Sequence, residues 1–148
     1  MSDHFVKITA SNPFFRANSK KLDKAVKYLK KHIVGSIITG EIETAPQFVD
    51  CGSNLDRIIC PFCKNGLTMD WWSTVMDERY ADSFINLNII TPCCGKETTL
   101  NDLVYELPCA FASTIIKIDN PDDKLSEDMI LKVEKIIGSH VKIINAHY

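Results

Sequence analysis

Long hydrophobic runs are missing from this 148-residue chain, although 45% of its residues are hydrophobic. No stretch approaches the roughly 18 consecutive apolar residues that a membrane-spanning helix requires. The start, Met1-Ser2-Asp3-His4, lacks the basic and apolar segments of a secretion signal. The expectation is a cytoplasmic protein with no membrane partner. Glycine is scarce, at six residues, and no glycine-rich phosphate loop occurs. Histidine is absent between His32 and His140, so the H-x-E arm of a zinc deaminase has no counterpart. Neither sign of charge dominates, the formal net being −2. This length suits one domain, or one domain carrying a small insertion.

Cysteine, by contrast, is present in a telling arrangement. Cys60-Pro61-Phe62-Cys63 is answered by Pro92-Cys93-Cys94-Gly95. A C-x-x-C turn sets two sulfurs one tetrahedral edge apart, each at roughly 2.3 Å from a shared zinc. Without a secretion signal, cysteines so spaced point to metal rather than to disulfides. Cys60, Cys63, Cys93 and Cys94 are the expected ligands, because a kinked backbone lets adjacent side chains converge. Cys51, in the turn Asp50-Cys51-Gly52-Ser53, is the reserve for the fourth position. Cys109, between Pro108 and Ala110, reads as a small buried hydrophobe. Structural Zn2+ is the expected ion, with iron as the other metal that four thiolates hold.

The pattern C-P-x-C … P-C-C-G, across residues 58–100, resembles a zinc ribbon. It departs from the ribbon at Thr91, which stands where the first cysteine of the second corner belongs. The resemblance implies a metal-held element and no particular function, since such elements serve many roles. No full-length family is recognised.

The two ends of the chain read as copies of one unit. Phe5 to Ala10, Asn12-Pro13, a helix over 19–33, Gly35 and Ile37-Ile38-Thr39 match Ser113 to Ile118, Asn120-Pro121, a helix over 126–137, Gly138 and Val141 to Ile144. Leu22, Ala25, Val26, Leu29 and Ile33 form one helical stripe, and Met129, Ile130, Val133, Ile136 and Ile137 form the other. Ser19 and Ser126 are the expected caps. Two such units make a β-α-β-β-α-β, ferredoxin-like α+β sandwich. Residues 1–45 and 108–148 would form it, with 46–107 as a zinc-binding insertion. A structureless connection of that length is implausible, and a bound metal supplies the missing order. Within the insertion, Leu67 to Ser73 and Phe84 to Ile90 read as the strands of a hairpin.

Charge is distributed unevenly. Residues 16–31 carry a local balance of +6, and Lys20, Lys24, Lys27 and Lys31 lie on one helical stripe. That face is either a solvated surface or a contact for phosphates. The cysteine-bearing segment is acidic instead, through Asp77, Glu78 and Asp82. Trp71-Trp72 sits beside them, and on a strand the two rings would point to opposite faces. With those acids, the pair marks the expected surface for a protein partner or a second copy of the chain.

These features favour a zinc-containing binding protein without catalytic activity, of inhibitor or immunity type. Nucleic-acid binding through the basic helix 16–31 is the alternative. A thiol or metal-dependent enzyme ranks last, because a closed four-thiolate site lacks the open position that catalysis needs.

Overall fold

The computed structural model describes residues 4–52, 57–107, 109–121 and 124–147. Ser53 of the expected turn and Pro108 lie outside them. The chain is a mixed α+β structure in which the two ends combine into one four-stranded sheet. Alternation in β1 (His4–Ala10) turns Val6 and Ile8 to one face and Lys7 to the other. Helix α1 (Ser19–His32) follows, then β2 (Ile38–Val49). After the insertion come β8 (Ala110–Asp119), α3 (Glu127–Ile137) and β9 (Val141–His147).

The sheet order is β2-β8-β1-β9, and every neighbouring pair is antiparallel. Exchanging the two halves, β1 for β8 and β2 for β9, leaves that order unchanged, as the repeated sequence pattern anticipates. The second strand is longer than its β-branched core suggests. It reaches Val49 by way of an irregularity between Ile42 and Gln47.

Both helices follow the sequence stripes. Leu22, Ala25, Val26 and Leu29 of α1, with Val133 and Ile137 of α3, pack on Val6, Ile8, Ile38, Ile116 and Ile118 of the sheet. The first cap is Asn18 rather than Ser19: its side chain accepts from the amides of Lys20 and Lys21. Ser126 caps α3 as expected, accepting from Met129, and Gly138 ends that helix in a left-handed conformation.

The other face of the sheet is covered by the insertion. Val49, Ala110, Phe111, Ala112 and Ile144 share a core with Ile58, Leu67, Phe84, Leu87, Ile89, Leu100, Leu103 and Tyr105. Two short hairpins organise the insertion. β3 (Ile58–Ile59) pairs with β4 (Gly66–Leu67) and with β7 (Val104–Tyr105), and β5 (Asn88–Ile90) pairs with β6 (Glu97–Thr99).

Between the hairpins lies a helix, α2 (Met69–Ala81), where a strand was expected over 67–73. Thr68 accepts from the Trp71 amide as its cap, and Asp70 lies in the first turn, where a negative charge is favoured. Trp71, Trp72, Val75 and Met76 then fall on one side and pack on the core. Aromatic, β-prone residues suggested a strand, but the cap and the i, i+4 spacing prevail. The hairpin partner of 88–90 is accordingly 97–99, and Ser83 and Phe84 take positive φ in the turn after α2.

Candidate metal centre

Each cysteine pair sits at the turn of one short hairpin, and the two turns are built alike. In the first, the Lys64 amide donates to the Cys60 carbonyl at 3.1 Å and the Cys60 amide to the Asn65 carbonyl at 2.9 Å. In the second, the Gly95 amide donates to the Thr91 carbonyl at 2.9 Å and the Thr91 amide to the Lys96 carbonyl at 3.0 Å. Lys64 and Gly95 both adopt the left-handed region, at φ 64° and 70°. Cys60-Pro61-Phe62-Cys63 thus superposes in pattern on Thr91-Pro92-Cys93-Cys94. Thr91 holds the position of Cys60, and Cys93 supplies its thiol from the middle of the turn.

These turns bring the Sγ atoms of Cys60, Cys63, Cys93 and Cys94 within 4.8 Å of one another. Cys60 and Cys94 are 3.8 Å apart, and Cys63 and Cys93 are 3.2 Å apart. The sulfur-sulfur edge of a tetrahedron with bonds of roughly 2.3 Å is about 3.8 Å, so the donor set fits one four-coordinate ion. Cys60 is fully buried, whereas Cys93 and Cys94 face solvent. All six cysteines are free thiols.

Local electrostatics separate the four. Burial raises the Cys60 thiol, but the amides of Cys63 and Phe62 donate toward its sulfur and, with the adjoining thiols, bring it down to about 6. Cys93 is pushed up to about 12, chiefly by its hydrogen bond with Cys63, with Cys60 and Cys94 adding to the rise. Positive charge accompanies the turns as well. Lys64 Nζ donates to the Pro61 carbonyl at 2.9 Å, and Lys96 Nζ lies 5.3 Å from the centre of the Phe62 ring.

Cys51, the reserve ligand, stands outside this group. Its sulfur lies 3.3 Å from that of Cys109, and both residues are buried. The sulfur that completes the group of four is that of Cys93, whose turn already faces the first one. Cys109 is buried in the core, as its apolar run predicts, and its neighbour there is Cys51, a pairing that the run did not reveal. Thr91 stands, as the ribbon pattern implies, where the first cysteine of the second corner belongs, and its hydroxyl oxygen lies 3.2 Å from Cys94 Sγ.

The remaining candidate residues form two separate surfaces. Trp71 and Trp72 are half-buried, and the indole of Trp72 donates to the Tyr105 hydroxyl at 3.3 Å while its ring meets Phe48 edge-on at 5.6 Å. Asp77, Glu78 and Asp82 are exposed on the outer side of α2 and its C-terminal end, beside Tyr80, which is 72% exposed. Lys20, Lys24, Lys27 and Lys31 are exposed on α1. Among the described residues, none of these four lysines takes part in an ion pair. Since α1 and α2 pack on opposite faces of the sheet, the basic and acidic surfaces point away from each other. No helix among the described residues is long and apolar enough to cross a membrane. Comparison with family models, curated proteins and solved structures finds no match for this chain.

Proposed function

We propose that this chain is a zinc-stapled binding protein: a ferredoxin-like frame carrying a zinc-ribbon-like insertion that engages a basic protein partner. The single observation behind this reading is the closed set of four converging thiols, Cys60, Cys63, Cys93 and Cys94. Four thiolates saturate a tetrahedral zinc, leave no position for substrate and donate enough charge to quench its Lewis acidity. Its work is then structural, holding α2 in a fixed orientation. The strand order β2-β8-β1-β9 with all pairs antiparallel supports the ferredoxin-like assignment.

The partner surface is the outer side of α2, with Asp77, Glu78, Asp82 and Tyr80 as its exposed groups and Trp71 and Trp72 as the rigid layer beneath. An acidic, aromatic face on a metal-braced helix suits a basic protein, as an inhibitor or immunity protein would require. Metal analysis of the purified chain, joined to a binding titration against cationic proteins at low salt, tests the reading. One equivalent of zinc, with binding abolished by reversing Asp77, Glu78 and Asp82 to lysine, is expected. A folded chain that is metal-free and insensitive to chelators, or indifference to every cationic protein tried, overturns it.

A second reading rests on the unpaired lysines of α1. Lys20, Lys24, Lys27 and Lys31 present an exposed cationic stripe that suits a phosphate backbone. Oligonucleotide affinity that falls steeply with salt, and disappears when Lys24, Lys27 and Lys31 are replaced, would favour it over the first.

A further inference from the structure

Cys51 and Cys109 meet where the insertion leaves the frame and where it returns. Cys51 follows β2 by two residues, and Cys109 immediately precedes β8, whose Ala110 is the register partner of Val49. Their sulfurs are 3.3 Å apart across a sequence separation of 58. Both are almost wholly buried, at 1% and 4% exposure, within the core joining the sheet to the insertion. The neck is tightly built: the Cys51 carbonyl accepts from the His147 amide at 3.1 Å, and Gly52 bridges to His147. The only group of metal-ligating atoms clustered among the described residues is the other four cysteines. Two thiols alone do not make a metal site, but they do make a dithiol.

We infer that Cys51 and Cys109 are a redox pair, oxidised to a disulfide by a small disulfide of the glutathione class, which closes the neck of the insertion. The sulfurs need to approach by a little over 1 Å to reach a bond of roughly 2.05 Å. Cys51 makes the first attack, because Cys109 is the donor of the pair, its S–H aimed at the Cys51 sulfur or at the Leu107 carbonyl. The Cys51 thiolate attacks one sulfur of glutathione disulfide and expels the first glutathione thiolate. Cys109, deprotonated, then attacks the Cys51 sulfur of the mixed disulfide and expels the second. Two protein thiols and one glutathione disulfide become one protein disulfide and two glutathione thiols. Two electrons pass to glutathione, and the two protein protons end on the released thiols. Burial makes local opening of the neck the gate to the first step. Once formed, the bond ties both ends of the insertion to the sheet whether or not a metal is bound.

The test equilibrates the full chain, supplied with zinc, in buffers of increasing glutathione disulfide to glutathione ratio. Free thiols are then trapped by alkylation and bonds mapped by mass spectrometry, with metal content measured on the same sample. Loss of two thiols, mapped to a single Cys51–Cys109 bond, with a melting temperature raised by several degrees, is expected. The same bond should form in chain stripped of metal, so a failure of the zinc reading would register separately. Retention of both thiols at every ratio overturns the inference, as does a bond from either residue to one of the other four cysteines. In C109A the bond cannot form: Cys51 stays a thiol or carries one glutathione, and the thermal shift disappears. A thermal shift that persists in that variant also overturns it.

Discussion

The hydroxyl oxygen of Thr91 lies 3.2 Å from the sulfur of Cys94, and the same oxygen accepts from the Lys96 amide at 3.2 Å. Thr91 thus keeps the position that Cys60 holds in the first turn while acting one bond further out, as a partner to Cys94, a candidate ligand. Such partners orient the sulfur and tune its charge, and losing one typically costs roughly 10- to 100-fold in metal affinity. Thr91→Val preserves the buried volume and removes the hydroxyl, so zinc affinity should fall by about 10-fold or more. Thr91→Ser should stay within about threefold of the parent. Competition against a chelating dye measures both. Equal affinity in all three proteins would mean that the Thr91 hydroxyl gives its proton to the Lys96 carbonyl, 3.3 Å away, rather than to Cys94.

Removing the metal should disorder the insertion before the frame. Strands β3, β4 and β7 contain two residues each, and α2 buries no residue completely. The two hairpin turns meet chiefly through the sulfurs of Cys60, Cys63, Cys93 and Cys94, so an ion held there would join them. Both tryptophans of the chain lie in α2, so their emission reports on the insertion alone. A strong chelator should shift that emission to longer wavelength as Trp72 leaves Phe48 and Tyr105, and added zinc should reverse the shift. Much of the sheet and helix signal in circular dichroism should persist.

Both frame helices were legible because their stripes, Leu22 to Leu29 and Met129 to Ile137, repeat at helical spacing next to a cap and a stop. The clustering of Cys60, Cys63, Cys93 and Cys94 was legible because C-x-x-C dictates sulfur geometry locally and Pro92-Cys93-Cys94-Gly95 answers it with a second turn. Helix α2 departs from the strand expected over 67–73 because Trp71 and Trp72 favour strands, while the deciding features, the Thr68 cap and the position of Asp70, are weak in isolation. The pairing of Cys51 with Cys109 was invisible for another reason. It depends on β2 continuing to Val49 through an irregular stretch, and therefore on the register between two distant strands.

Gly52 tests that neck directly. It adopts φ +95°, and a Cβ added there would fall 1.9 Å from the His147 carbonyl oxygen. Gly138 has a similar φ of +82° with nothing within 4 Å. Gly138→Ala should therefore cost only the left-handed strain, about 1–2 kcal/mol. Gly52→Ala should cost at least about 2 kcal/mol more, because backbone atoms must separate to accommodate it. Urea denaturation of the two variants measures the difference, and equal losses would mean that β9 does not close against Gly52.

Alkaline pH should weaken the fold through the same neck, under reducing conditions. Burial, then the neighbouring Cys51 sulfur, raises the Cys109 thiol from an ordinary 9.0 to about 12. A thiol whose folded value lies above its unfolded value stabilises the fold in its protonated form. That contribution is complete below pH 9 and is lost as pH rises toward 12, because the unfolded chain ionises first. The loss for one such group cannot exceed about 1.4 kcal/mol per pH unit in that window. Burial raises the Tyr105 hydroxyl as well, and the charge of an ionised Cys109 adds to that rise. The difference between parent and C109A therefore reports the thiol together with its effect on Tyr105. Urea midpoints at pH 8, 9.5 and 10.5 should converge, with the parent losing its advantage over the variant as pH rises. Parallel curves would mean that the Cys109 sulfur reaches water and that the neck stands open.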